Sequence, residues 1–135
     1  MKELSEKNNY YVPKHRYYEL LHFCRQYDDY LLKKKQIMDE YIKPVVHNEG
    51  VNNRPQTISH VENFALKLVE VDEKIEMIEQ AAVDADKELS GYILMAVSGG
   101  IGYDSLSVRY GIPCSRNTFY DRYRKFFWLL DKRRR

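Results

Sequence analysis

Cysteine is nearly absent from this chain of 135 residues. Cys24 and Cys114 stand far apart and outside any CxxC spacing, which removes both a disulfide framework and a zinc site of paired thiolates. Glycine and proline are also scarce, at six and four residues, too few for the tight turns of an all-β chain. No apolar run approaches the roughly 20 residues that span a bilayer, and no basic-then-apolar leader opens the sequence. No membrane contact and a cytoplasmic, reducing setting are therefore expected. Catalytic signatures are missing too. There is no nucleophile motif, and GGIG at 99–102 lacks the strand and spacing of a dinucleotide site. The carboxylates cluster on one helical run, where a solvated face gives the same pattern as an acid–base site. His15 and His22 are seven apart and can share a helix face, yet neither they nor His47 and His60 have a third ligand at metal spacing. Enzyme, metal and cofactor functions are not expected.

What remains is helical. The length suits one domain, or a small module with a helical extension. The net charge is only +2, but its distribution is uneven. Residues 1–56 hold ten basic and eight acidic side chains, 57–98 hold three and nine, and 99–135 hold nine and three. An acidic middle and a basic C-terminal end on a nearly neutral chain leave one phosphate-seeking face.

Residues 1–9 read as a flexible polar N-terminus. Residues 10–56 form an N-terminal helical segment and loop. In KHRYYELLHFCRQY, Tyr17, Leu20, Leu21, Cys24 and Tyr27 make one helical stripe. Asp28 and Asp29 then suit the start of another helix, whose apolar pattern continues through Tyr30, Leu31, Ile37, Met38, Tyr41 and Ile42 past Lys33, Lys34 and Lys35. Two helices or one bent helix fit this pattern equally. PVVHNEGVNNRPQ, residues 44–56, reads as a connection. Residues 57–98 form a long acidic helix and a connecting helix. Val61, Ala65, Leu68, Val71, Ile75, Ile78 and Ala82 advance by fours and threes, close to a coiled-coil seam, while Glu62, Glu70, Asp72, Glu73, Glu76 and Glu79 charge the outer side. That seam fits an antiparallel pairing with the N-terminal helices and a homodimer through 57–83 equally well. Asp84 and Asp86 are placed to cap the next helix, Lys87 to Val97, which the glycines at 99, 100 and 102 end.

Residues 99–135 carry the chemistry. YDSLSVRYGIPCSRNTFYDRYRKFFWLL reads as a short helix, a turn and a longer basic helix. Leu106 and Tyr110 share a face of the first helix, and Ser107 is small enough for a second helix to approach. Gly111 supplies the turn, Pro113 blocks continuation, and Ser115 is a good N-cap. Phe119, Tyr123, Phe126, Phe127 and Leu130 form one apolar stripe facing the core. Asn117, Tyr120, Asp121, Arg124 and Lys125 turn away from it, with Arg116 and Thr118 in the first turn. This is a helix-turn-helix pattern whose second helix suits the major groove of double-stranded DNA, Arg toward guanine and Asn toward adenine. Ser115, Lys125 and the basic Lys132–Arg135 end suit phosphates. A solvated amphipathic helix is the plainer alternative. The many tyrosines fall at helical spacing and read as core residues whose hydroxyls reach solvent. Trp128 and Leu129 lie off the stripe, so they meet either the N-terminal helices or a partner.

Read as a whole, GYILMAVSGGIGYDSLSVRYGIPCSRNTFYDRYRKFFWLLDK resembles the C-terminal part of small phage transcriptional activators of the ArpU and RinA type, which are similar to the promoter-reading domain of sigma factors. The matching pieces are the apolar helix before the glycines, LSVRYGI, SRNTFY and the basic RYRKFF. The resemblance implies a phage or prophage origin, control of late or packaging genes, and RNA polymerase as a partner. It places Arg116, Asn117, Thr118, Tyr120, Asp121 and Arg124 on the recognition helix. Two departures stand out. The turn from Gly111 to Cys114 is longer by about two residues than the tight sigma-like turn. Asp121 is acidic where a base is expected, and can accept from cytosine or orient Arg124 or Lys125. The expectation is an all-α protein: an N-terminal helical hairpin and a long acidic helix carrying a C-terminal helix-turn-helix that regulates transcription. Two rivals are a DNA-packaging component similar to a small terminase subunit, and a helical assembly protein without DNA binding.

Overall fold

A computed structural model of the chain describes residues 8–42 and 58–135. Six α-helices and no strand occur among the described residues: α1 (Lys14–Arg25), α2 (Tyr27–Ile42), α3 (Ile58–Ala85), α4 (Ser90–Gly99), α5 (Tyr103–Tyr110) and α6 (Arg116–Arg133). The protein is all-α. Most of the expected flexible N-terminus (residues 1–7), the connection at 44–56, Thr57 and His47 lie outside the described residues.

The N-terminal pattern resolves into two helices rather than one bent one. Gln26 ends α1 with φ −89° and ψ 1°, its backbone N–H bonded to Cys24 and Phe23 carbonyls, and α2 starts one residue later at Tyr27. Helix α2 then runs antiparallel to α3. Tyr41 stacks on Phe64 with ring centroids 4.0 Å apart, Lys34 Nζ lies 2.7 Å from Asp72 Oδ1, and the Tyr27 hydroxyl donates to Glu79 at 3.0 Å. Ascending positions on one helix thus meet descending positions on the other. Ile37, Val71 and Ile75 fill the seam between them.

The main core is built around α6. Phe119, Tyr123, Phe126, Phe127 and Leu130 are all buried, as the stripe required. Leu20, Phe23 and Cys24 from α1 pack into the same cluster, with Ile78, Ala81, Ala82 and Ala85 from α3, Ile93 and Val97 from α4, and Leu106 from α5. The small side chains Ala81, Ala82 and Ala85 let α3 approach the aromatic face of α6 closely. Burial pushes the Cys24 thiol up to about 12, so it acts as a small apolar residue rather than a reactive thiol.

The α3–α4 junction differs from the sequence expectation. Asp84 lies inside α3 and pairs with Arg133 instead of capping. Asp86 accepts from the backbone N–H groups of Glu88 and Leu89 at 3.0 and 3.1 Å. Asp86 thus caps the entry to the next helix as expected; residues 87–89 form a turn, Leu89 already at φ −94° and ψ 0°, and regular α4 starts at Ser90 rather than Lys87. Gly100 closes α4 in the left-handed region, at φ 71°. A Cβ there would stand 2.6 Å from Arg25 Nη1, and Arg25 itself reaches the Ala96 carbonyl at 3.4 Å. The left-handed backbone favours glycine here, and a side chain would in addition have to displace the Arg25 guanidinium.

The hydroxyls of Tyr17, Tyr27, Tyr103 and Tyr123 are partnered inside the molecule, whereas Tyr18, Tyr41 and Tyr110 are exposed to solvent as expected. Tyr17 and Tyr123 hydroxyls meet at 2.8 Å, and the Tyr103 hydroxyl donates to the Cys114 carbonyl at 2.6 Å. Burial pushes both the Tyr17 and Tyr123 phenols up. At a buried site the local partner is what removes the cost of desolvating the hydroxyl.

Phe126→Ala should cost about 3–5 kcal/mol by leaving a cavity, whereas Leu66→Ala, on the exposed side of α3, should change stability by less than about 0.5 kcal/mol. Urea unfolding of both variants checks this. Asp131 supplies an acid limb. Burial pushes its carboxyl up, but hydrogen bonds from Arg16 and Arg135 outweigh burial and hold it below the usual range. Its folded pKa is depressed, so its contribution is full above the ordinary carboxylate pKa and is lost as pH falls through the folded value. Asp131→Asn should flatten that part of the stability–pH curve, measured by thermal melts stepped from neutral to acid pH.

Candidate nucleic-acid interface

Helices α5 and α6 are joined by the segment 111–115, which the sequence shapes residue by residue. Gly111 adopts φ 62° and ψ 41°. The N–H groups of Gly111 and Ile112 reach back to the Ser107 and Leu106 carbonyls at 3.2 Å each, closing α5. Ile112 then dives into the core. It takes the place expected for Tyr110, which is 48% exposed, while Ser107 also faces solvent. The close approach between the two helices is made instead by Leu106 and by the Tyr103 ring, 6.0 Å from that of Phe119. Ser115 caps α6, its Oγ accepting from the Thr118 N–H at 3.2 Å and its hydroxyl donating to Thr118 Oγ1 at 3.0 Å.

On α6 the buried stripe and the outer face are separated by the helical period. Ser115, Arg116, Asn117 and Thr118 are exposed. Asp121, Arg124 and Lys125, one and two turns on, are half-buried and share the outer side with Asn117. Beyond Lys125 that side is covered by the chain's own N-terminal segment. The Tyr10 ring packs edge-on against Trp128 at 5.6 Å. Trp128 and Leu129 therefore pack against the core cluster within the chain. The open part of the outer face is confined to the first turns of α6.

Not all expected site residues stand together. Tyr120 lies flat on Phe119, at 5.2 Å and 8° between planes, on the flank of α6. It lines a cleft of about 160 Å³ with Arg25, Gly100, Ile101 and Tyr123, away from Asn117. Asp121 bonds neither Arg124 nor Lys125 among the described residues but Arg122, at 3.3 Å, and Arg122 also lies 3.3 Å from Asp86. Arg124 Nε is shut from solvent and has no hydrogen-bond partner among the described residues. The end-on nitrogens are thus the ones Arg124 can offer.

The charge of the C-terminal end is divided. Lys132 Nζ sits 3.2 Å from the centre of the Trp128 ring, Arg134 lies 3.7 Å over Phe23, Arg133 pairs with Asp84, and Arg135 pairs with Asp131. Arg16 reinforces this end, 2.7 Å from Asp131 and 3.3 Å from the Arg134 carbonyl. The basic tail is docked, each side chain held by a group of its own chain. Arg109 on α5 and Lys125 on α6 form no ion pair among the described residues. Two participants were not visible from spacing. Asp104 on α5 pairs with Arg116, which also lies 5.3 Å over the Tyr103 ring. This cross-link orients Arg116 over the turn, and no periodicity links positions 104 and 116.

Among the described residues, no group of three His, Cys, Asp or Glu is placed to hold a metal ion, and no helix is long and apolar enough to cross a membrane. Neither protein-family models, nor curated proteins, nor solved structures yielded a match to the chain.

Ser115→Ala should lower stability by about 1 kcal/mol through loss of the cap, and Gly111→Ala by about 1–2 kcal/mol through left-handed strain. Open space around the Gly111 Cβ position means that the strain acts alone. Chemical denaturation of each variant gives the measurement, and equal stability in Gly111→Ala would contradict the turn geometry.

Proposed function

We propose that this chain binds double-stranded DNA in a sequence-dependent way through α5 and α6 and regulates transcription of phage genes. The observation that carries the reading is the division of α6. One face is locked into the core, while Arg116, Asn117 and Thr118 stand exposed on its capped N-terminal turn. In helix-turn-helix docking that turn enters the major groove, and a helix whose other face cannot move presents its side chains in fixed register. The resemblance of the 91–132 segment to ArpU- and RinA-type activators supports the same role.

In this reading Arg116, Asn117 and Arg124 approach base edges, with Asp121 accepting from a cytosine amino group. Tyr120, on the flank, approaches the sugar–phosphate wall. Ser115, Thr118 and Lys125 contact phosphates, helped by the positive end of α6. Arg109 adds a cation on α5. The four basic residues at the end of α6 contribute long-range field rather than contacts, because they are held elsewhere. A single module of this size binds weakly, so a second half-site or RNA polymerase supplies the remaining affinity. A packaging role similar to that of a small terminase subunit is the second reading, favoured by the apolar side chains exposed on α2 and α3.

Selection from random duplexes followed by salt-dependent titration tests the proposal. One enriched motif is expected. Asn117→Ala or Arg124→Ala should weaken binding to it by about tenfold or more and relax preference at one position, while Lys125→Ala should weaken all duplexes alike and lower the salt slope by about 1. Uniform binding without a motif would favour packaging, and no binding at low salt would sink the duplex reading.

A further inference from the structure

The seam of α3 is buried for only part of its length. Val71, Ile75, Ile78 and Ala82 are buried, whereas Val61 is 46% exposed and Ala65 is exposed. At 100° per residue Val61, Ala65 and Val69 follow one another along a side of α3 turned away from its contacts with α6. On α2, Leu31, Met38 and Ile42 fall on one side, with Lys35 among them. The antiparallel pairing of the two helices brings these two rows onto the same flank of the hairpin. Leu31, Ile42 and Val69 are 40, 68 and 52% exposed. A monomer gains nothing from two aligned apolar rows facing water.

Charge identifies the occupant. On this flank α2 sets Lys35 among its apolar residues, with Lys34 at the inner edge and Asp28 and Asp39 at the outer edge, and α3 presents Asp72 and Glu76. A second copy turned about a two-fold axis parallel to the helices lays its α2 over this α3 and its α3 over this α2. Rotation about that axis leaves heights along the hairpin unchanged. Since Lys34 meets Asp72 within one chain, Lys35 of each copy comes level with Asp72 of the other. The alternative axis, across the helices, sets α3 on α3 and opposes acid to acid.

We propose that the α2–α3 flank is the self-association surface, closing a four-helix bundle from two hairpins in an isologous dimer. It buries the two apolar rows at the centre and forms two Lys35–Asp72 contacts at symmetry-related places. This sharpens the paired half-site expectation of the DNA reading but does not depend on it, because the mass of the assembly is measured without DNA.

Sedimentation velocity over a micromolar concentration series tests the surface, with circular dichroism to verify folding. The wild-type chain should sediment as a dimer. Ala65→Glu puts a good helix former at an exposed position, so helicity and melting should stay near wild type while dimerisation weakens by about tenfold or more. Lys35→Glu alone and Asp72→Lys alone should be largely monomeric. An equimolar mixture of the two should recover the dimer, because both exchanged pairs are then opposite in charge. A monomeric wild type, a folded Ala65→Glu variant with unchanged dimerisation, a mixture that stays monomeric, or a larger closed ring would each overturn the proposal. DNA selection on the same samples reports separately on the duplex reading.

Discussion

Burial of the aromatic stripe on α6 is the constraint on which the rest of the molecule depends. Phe119, Tyr123, Phe126, Phe127 and Leu130 are contacted by residues from α1, α3, α4 and the α5 turn. Each surrounding helix gives up its apolar side to this one surface. The small residues of α3 and the inward Ile112 follow from packing against large rings. A helix packed this way has its backbone position set by the core, which fixes where its outer side chains emerge.

Much of this was legible in the sequence because it rests on local chemistry. The 3.6-residue period marked the inner face of α6 correctly, and Ser115 and Gly111 set its start and the preceding turn. Leu89, Ile93 and Val97, four residues apart before the glycines, are buried together as a helical period requires. The misplaced features depend on partners distant in sequence or on competition between bonds. Tyr110 shares a helical face with Leu106, yet the chain reverses at Gly111 and it is Ile112, not Tyr110, that is buried beside Leu106. Asp86 caps the turn at 87–89 as its position predicts, and regular α4 begins at Ser90, three residues later than the apolar spacing implies. The Asp104–Arg116 pair and the Tyr17–Tyr123 contact span loops and helices with no pattern to announce them.

Charge shows the same division between composition and arrangement. The surplus of cations near the C-terminus suggested one basic surface, but folding gives them two different tasks. At the end of α6, Arg133 pairs with Asp84 of α3 and Arg134 lies over Phe23 of α1, fastening the helix to both, while Arg135 and Lys132 turn back onto Asp131 and Trp128 of α6 itself. Near α5 and the first turns of α6, Arg116 is held by Asp104 over the Tyr103 ring, whereas Arg109 and Lys125 form no ion pair among the described residues. Counting charge per segment therefore overstates the phosphate-seeking surface, because several of those charges are already neutralised within the fold.

The two faces of α6 interleave residue by residue, so inner and outer positions are neighbours in sequence but independent in packing. Exposed positions such as 116, 117 and 118 can change side chain while 119, 123, 126 and 127 keep the core unaltered. On the proposed reading, such a chain is easily redirected: point changes on the outer face could move it to a new target sequence with little penalty in folding. Lineages built on this scaffold would diverge in what they address long before they diverge in shape.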